Sequence, residues 1–409
     1  AGSRQEGCRG RVMPGRLRRA ISGYLHEWQA LRGCYPDFVL RDVDALPKGD
    51  VPVFTFHTIE PEPFEAQLRH LRQNGYRTID GAALLRHLAG LAPAPERSVM
   101  LTIDDGRKSV WTHGLPLLRR YGFRATVFLI PGYVQDGQGV AASLDDVWAG
   151  RIAAADLAIA DPALMSWDEI RAVQASGVID CQSHTRFHHR VPIDTAPGGF
   201  IGPTTRDAFF DLPLPSGEEW RVAGPGTAGA YGMPLYPSAS LMLARPRYHP
   251  PTAVVAACVD HVRRQGGAAY FARRDAAAQL RRVHDAAKAA HGRGRMESPA
   301  EALAAIAEDL AGSRALIETA LGGKPCTHLC FPYTEGTAAA VELAREAGFE
   351  AAYWGVLPDR RINRPGDDPL RIVRLKNDYI HRLPGAGRRS LGRIMLAKVH
   401  RRLTGGPIH

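Results

Sequence analysis

The sequence predicts an α/β fold with a largely parallel sheet or barrel. Two observations carry this expectation. Short apolar strands alternate with helical stretches at the spacing of βα units, and the most apolar strands stop abruptly at polar clusters, Asp104-Asp105-Gly106 and Ser183-His184. A third feature qualifies it: the rhythm breaks near residue 192 and resumes only after residue 300.

The elements follow in order. Pro47, Gly49 and Pro52 lead into a strand over 51–57, whose Val53, Phe54 and Phe56 are apolar. Residues 64–74 repeat Phe64, Leu68 and Leu71 at helical spacing and stop at Gly75. A short strand over 76–79 precedes a helix over 81–90. The strand over 98–103 ends in the Asp-Asp-Gly cluster, and a helix around 112–121 is stopped by Gly122. A buried strand over 125–130 ends at Pro131-Gly132. Ser166, with Glu169 three residues on, caps a helix reaching 177. A strand over 178–183 then delivers His184.

Residues 194–250 are rich in Gly, Pro and aromatics, and 252–291 are Ala/Arg-rich and helical. One or two helices over 300–321 follow, then a strand over 327–331, a helix at about 336–347 and a strand over 351–354. The expected organisation is a basic arm and short helix over 1–46 and an α/β domain over 47–385. An insertion over 193–300 interrupts that domain, and a basic amphipathic helix covers 386–409.

The chain has 409 residues, 45% of them hydrophobic and 23% charged, enough for a substantial core and against global disorder. Its net charge of +10 sits at the ends. Residues 1–19 carry +5, residues 386–409 carry +6, and the body between is about −1. The basic ends lack interleaved aromatics and no nucleic-acid motif is present, so no nucleic-acid partner is expected. The 386–409 helix, with Leu391, Ile394, Met395, Val399 and Leu403 on one face, suits either docking on the body or an anionic membrane surface. Six scattered cysteines read as reduced thiols, and no apolar leader follows the basic start. The expected location is therefore cytoplasmic or peripheral at a membrane, or secreted where a signal peptide has been removed.

Three clusters carry candidate chemistry. In Asp104-Asp105-Gly106, two adjacent carboxylates after a buried strand are costly unless a cation lets both stay ionised. One can then bind a metal while its neighbour takes a proton. An isolated Asp-Asp-Gly reads more readily as a turn. His184 and His188, four apart, can face one metal, with His189 a competitor for the second place. Phe331-Pro332-Tyr333 follows a third strand, and Tyr333 offers a main-chain N–H or a ring. Taken together, the clusters fit one Asp-His-His site with open coordination positions, the layout of a hydrolytic metal centre.

Several segments carry a family resemblance. They are residues 98–106, Gly122–Phe128, Ser166-Trp167-Asp168-Glu169-Ile170, 183–188 and 331–333, together with the first strand, 51–57, Phe64 and Gly75-Tyr76. The chain resembles the polysaccharide deacetylases (NodB-type, carbohydrate esterase family 4), and the first-strand set resembles their poly-N-acetylglucosamine branch. The resemblance covers about 51–192 and 309–375. It implies a distorted (β/α)7-type barrel and metal-dependent hydrolysis of an N-acetyl group on an amino sugar.

By motif, it implies Asp104 as general base and Asp105, His184 and His188 as metal ligands. His57 would be the general acid, and the Tyr333 N–H would help hold an oxyanion. Tyr333, Arg371, Arg374 and Trp167 are the expected substrate-side residues. One divalent ion is expected, zinc first, with cobalt, nickel or iron also compatible.

Two departures stand out. Leu329, Cys330 and Phe331 occupy the place where the family often carries an arginine beside the base, and Arg371 or Arg374 is the candidate replacement. The late Leu-x-His motif is not evident, with His381 in the corresponding region. The inserted aromatics Phe209, Phe210, Trp220, Tyr231, Tyr236 and Tyr248 form either a sugar-facing lid or a small core of their own. The expected substrate is an amino-sugar glycan or glycoconjugate. The alternatives are deacylation or deformylation of a lipid-linked or small amino sugar, and a catalytically silent carbohydrate-binding protein.

Overall fold

The computed structural model describes residue 31 and residues 33–157, 163–205, 209–212 and 227–404. The basic arm, most of the expected helix before residue 33, and Trp220 lie outside them.

Eight strands form one sheet: β1 Val53–Phe56, β2 Arg77–Thr78, β3 Ser98–Ile103, β4 Ala125–Leu129, β5 Ile179–Ser183, β6 His328–Cys330, β7 Ala351–Tyr353 and β8 Leu375–Lys376. The order is β7-β6-β5-β4-β3-β1-β8, with β2 on β3, and every pairing is parallel. Tyr353 at the end of β7 bridges Ile372, three residues before β8, which pairs with β1. The short segment 372–376 therefore brings the two edges of the sheet together and curls it into a distorted barrel.

The helices around it are α1 Pro61–Gln73, α2 Gly81–Leu88, α3 Leu115–Tyr121, α4 Trp167–Ala175, α5 Pro299–Ala320, α6 Ala338–Glu346 and α7 Leu391–Thr404. The expected boundaries hold to within a few residues. The stretch over 300–321 is a single helix, and the helix expected at 112 begins as a turn of π-helix over Val110–Gly114. The Ser166/Glu169 capping box is formed as expected.

Period-two alternation decides which residues face the barrel interior. Phe54, Leu101, Ile103, Val127 and Leu329 join the large core beneath the helices. Val53, Met100, Phe128, Cys330 and Tyr353 form a second cluster inside the barrel. Extending the inward register past the strand ends places Thr55 and His57 above Val53, and Thr102 and Asp104 above Met100. Parallel strands put all these ends on one face of the barrel, where active sites of such folds are built.

The insertion leaves after β5 and returns at α5. It has two small apolar clusters of its own, around Ile201, Met233 and Val255 and around Cys258, Tyr270 and Leu280, under helices Thr252–Arg264 and Ala276–His291. Tyr231, Tyr236 and Tyr248 pack inside it rather than forming a lid. The C-terminal helix α7 docks on the body through Ile394 and Met395, and Lys398 and Arg401 reach Asp378. Among the described residues no helix is long and apolar enough to cross a membrane, and the five described cysteines are unbridged.

Candidate metal centre and active-site pocket

The loops after β1, β3, β5 and β6 converge on one pocket of about 420 Å³, whose lining includes His57, Asp104, Asp105, His184, His188, Tyr333 and Arg374. Asp104 is 3% exposed. Arg374 grips it through both oxygens, Nη1 to Oδ1 at 2.6 Å and Nη2 to Oδ2 at 2.9 Å. Thr55 donates to Oδ2 at 3.3 Å. Burial by itself would raise the Asp104 pKa, but the Arg374 guanidinium, with His184 and His57 nearby, holds it well below the usual carboxylate range. Arg374 is itself buried, and the Asp104 carboxylate keeps it charged. It also reaches Thr102 Oγ1 and the Cys330 thiol.

Asp105 faces the other way. Arg107 holds its Oδ2 at 2.8–2.9 Å, and its Oδ1 lies 3.7 Å from His184 Nε2. Against its burial, His57, Arg107, His188 and His184 keep its pKa low. Gly106 follows at φ +73°, and a Cβ there would come within 2.7 Å of Leu129 Cδ2, so the turn that separates the two carboxylates needs a glycine.

His184 Nδ1 is 2.9 Å from the Cys330 carbonyl oxygen. A proton on Nδ1 satisfies that bond and leaves the Nε2 lone pair facing the carboxylates. Burial pushes the His184 pKa down to about 4, so the ring is neutral at pH 7. The loop that carries the two histidines is pinned from behind by α5. Asp309 accepts from the Arg186 N–H at 2.8 Å, and Ser313 bonds Ser183. His188 N–H donates to Thr185 Oγ1.

Strain concentrates here. Asp105, Thr185, His188, Tyr333 and Thr334 all have positive φ between +55° and +72°, five of the seven such non-glycine residues described. Each costs on the order of 1–3 kcal/mol and persists only where the surroundings enforce it.

Asp105, His184 and His188 each offer a ligand atom within 4.8 Å of the others, and all three are buried. One buried carboxylate and two buried imidazoles form a donor set that fits a divalent transition metal. His189 instead stacks on Phe187, outside this group.

His57 Nε2 lies 3.8 Å from Asp104 Oδ2, with the side chain 32% exposed at the pocket mouth. Tyr333 lines the pocket with its ring 4.6 Å from His188. The remaining expected residues fall elsewhere. Arg371 bonds Asp359 at the surface, because register turns it away from the interior. Trp167 opens α4 and packs into the outer core. His381 lies in a separate small pocket between α1 and α7. Sequence reasoning missed Arg107, which directly follows the Asp-Asp-Gly turn, and Asp211, whose surroundings gave no periodic signal.

Residues 92–200, which include Asp104, Asp105, His184 and His188, match the family described as polysaccharide deacetylase. The poly-β-1,6-N-acetyl-D-glucosamine N-deacetylase of Escherichia coli is 25% identical over 155 residues, 38% of this chain and 22% of that protein. A putative polysaccharide deacetylase of Bacillus subtilis, YxkH, is 30% identical over 88 residues, 20% of this chain and 32% of that protein. The matches thus span less than a third of either relative's length. Among solved structures, the BpsB deacetylase domain from Bordetella bronchiseptica covers 81% of this chain and 98% of its own at 17% identity and TM-score 0.49. IcaB from Ammonifex degensii covers 84% and 100% at 19% identity and TM-score 0.46. Superpositions this loose add nothing to the topology described above.

Proposed function

We propose that the chain is a divalent-metal-dependent hydrolase that removes N-acetyl groups from an amino-sugar glycan or glycoconjugate. The observation that carries this reading is the division of labour between adjacent carboxylates. Asp104 is clamped by Arg374, while Asp105 turns toward His184 and His188. A metal held by Asp105, His184 and His188 would supply Lewis acidity toward the acetamide carbonyl and toward a water. Zinc is the first expectation, and the same donors accept cobalt, nickel or iron.

The chain's own groups then divide the proton work. Asp104, kept ionised and oriented by Arg374, accepts the proton of the attacking water. The carbonyl carbon gains a C–O bond, and the main-chain N–H of Tyr333 helps hold the resulting oxyanion. His57, across the pocket mouth from Asp104, gives a proton to the nitrogen as the C–N bond breaks, releasing acetate and the free amine. The pocket of about 420 Å³ has room for one sugar and its acetamide, with the mouth at His57 open to the rest of a chain. Polymeric and lipid-linked amino sugars both satisfy this geometry.

The test is acetate release from an acetylated amino-sugar panel by wild-type protein and by Asp104→Asn. Release by wild type that is abolished in the variant supports the reading. Undiminished release by Asp104→Asn overturns the assignment of the base.

A further inference from the structure

The insertion is not merely packed beside the barrel; it reaches into the pocket. The turn of 3-10 helix Phe209–Asp211 places Phe210 and Asp211 in the pocket wall. Phe210 is 1% exposed and meets the His188 ring edge-on at 5.6 Å. Asp211 Oδ1 accepts a hydrogen bond from Tyr333 OH at 2.7 Å and lies 3.2 Å from His188 Nδ1. Tyr333 OH in turn reaches the His188 carbonyl oxygen at 3.4 Å. One carboxylate from the insertion therefore touches two left-handed residues of the pocket, His188 at φ +55° and Tyr333 at φ +58°.

We propose that Asp211 is a positioning residue of the metal centre, supplied by the insertion and acting through His188. The proposal rests on the metal-centre reading above. The two histidines then follow one rule. For His184 the Cys330 carbonyl faces Nδ1 and leaves Nε2 toward the carboxylates. For His188 the Asp211 carboxylate faces a buried Nδ1 that has no aligned hydrogen-bond partner, and a small rotation of either group turns the 3.2 Å contact into an Nδ1–H···O bond. A carboxylate there fixes the tautomer and ring direction and makes the ligating nitrogen more basic. Removing such a partner weakens metal binding by about 10–100-fold. Asp211 also holds Tyr333, so the same carboxylate couples the ligand histidine to the loop that faces the acetamide.

The experiment measures zinc affinity of wild type, Asp211→Asn, Asp211→Ala and Tyr333→Phe by competition with a chromophoric chelator. Absorption spectra of the cobalt-loaded proteins and melting temperatures of the metal-free proteins accompany it. Asp211→Asn keeps an acceptor for Tyr333 OH and loses the charge beside His188. The expected result is zinc affinity lowered about 10–100-fold in both Asp211 variants, with a shifted cobalt spectrum. Tyr333→Phe stays close to wild type, and the metal-free Asp211→Asn protein melts with wild type. Wild type that binds zinc with an Asp211→Ala variant within twofold of it overturns the role of Asp211 alone. Wild type that binds neither zinc nor cobalt overturns the metal-centre reading itself.

Discussion

Arg374 holds Asp104 through both carboxylate oxygens, at 2.6 and 2.9 Å, from a position 270 residues away in the chain. Both side chains are buried, 5% and 3% exposed. The arginine comes from the segment that closes the barrel between β7 and β8, whereas the resemblance to polysaccharide deacetylases leads to the expectation of one just before Pro332-Tyr333. A cation therefore stands beside Asp104, the proposed base, and it enters from the segment before β8.

Removing that cation leaves a buried, unpaired carboxylate. Arg374→Met is expected to lower stability by about 3–5 kcal/mol and to remove most activity. Arg374→Lys restores the charge without the two-pronged geometry and should recover stability more than turnover. Arg371→Ala, at the surface on Asp359, should change stability by no more than about 0.5 kcal/mol. Denaturant titrations and turnover measurements of the three variants check this ranking.

The two carboxylates should separate experimentally. Asp104→Asn is expected to bind metal within about twofold of wild type and lose about 10²–10⁴-fold in turnover, the range for a lost general base. His184→Ala should lose the metal itself. Metal content by mass spectrometry beside turnover distinguishes them. Equal loss of metal in both variants would contradict the division of roles.

Acid stability should depend on two histidines remote from the pocket. Burial pushes His381 down to about 3, with Arg389 and His70 adding to the effect, and burial also lowers His70. The two rings meet at 5.4 Å. In the unfolded chain each takes a proton near pH 6.5. Between about pH 3 and 6.5 the unfolded state therefore binds more protons, and stability falls as pH drops through that window. Melting temperature should decline from pH 7 to pH 5, and His381→Gln should flatten the decline. An unchanged slope in a His70→Gln, His381→Gln double variant would contradict it.

Asp309 and Ser313 hold the histidine loop from α5, so Asp309→Ala should loosen it without touching the donor set. The expected outcome is weaker zinc binding with a preserved ligand set, read by chelator competition beside the melting temperature. Zinc affinity equal to wild type would show that the loop keeps its shape without α5.

How much of this was legible follows from the physics of each signal. Strand and helix order, and the inward positions of Thr55, Asp104 and His184, follow from local periodicity and are readable in one dimension. Asp105 announces itself because a second charge after a buried strand needs a reason. The Asp104–Arg374 pair is a long-range contact that no local pattern specifies, and two arginines three apart competed for it. Asp211 stands in an aperiodic Gly/Pro-rich stretch, where side-chain direction cannot be read from spacing. Asp309 and Ser313 did leave a trace, two polar residues four apart on the buried face of an otherwise Ala- and Leu-rich helix.

The most direct test of the metal-dependent deacetylase reading is mass spectrometry of N-acetylated glucosamine oligosaccharides and lipid-linked amino sugars. Each is incubated with the purified protein in zinc, in chelator, and in chelator followed by zinc. The expected result is a loss of 42 mass units per acetyl group, about one per hydrolysed amide, in zinc, none in chelator, and recovery when zinc returns. Mass loss that persists undiminished in chelator, after the protein is shown to be metal-free, would contradict it.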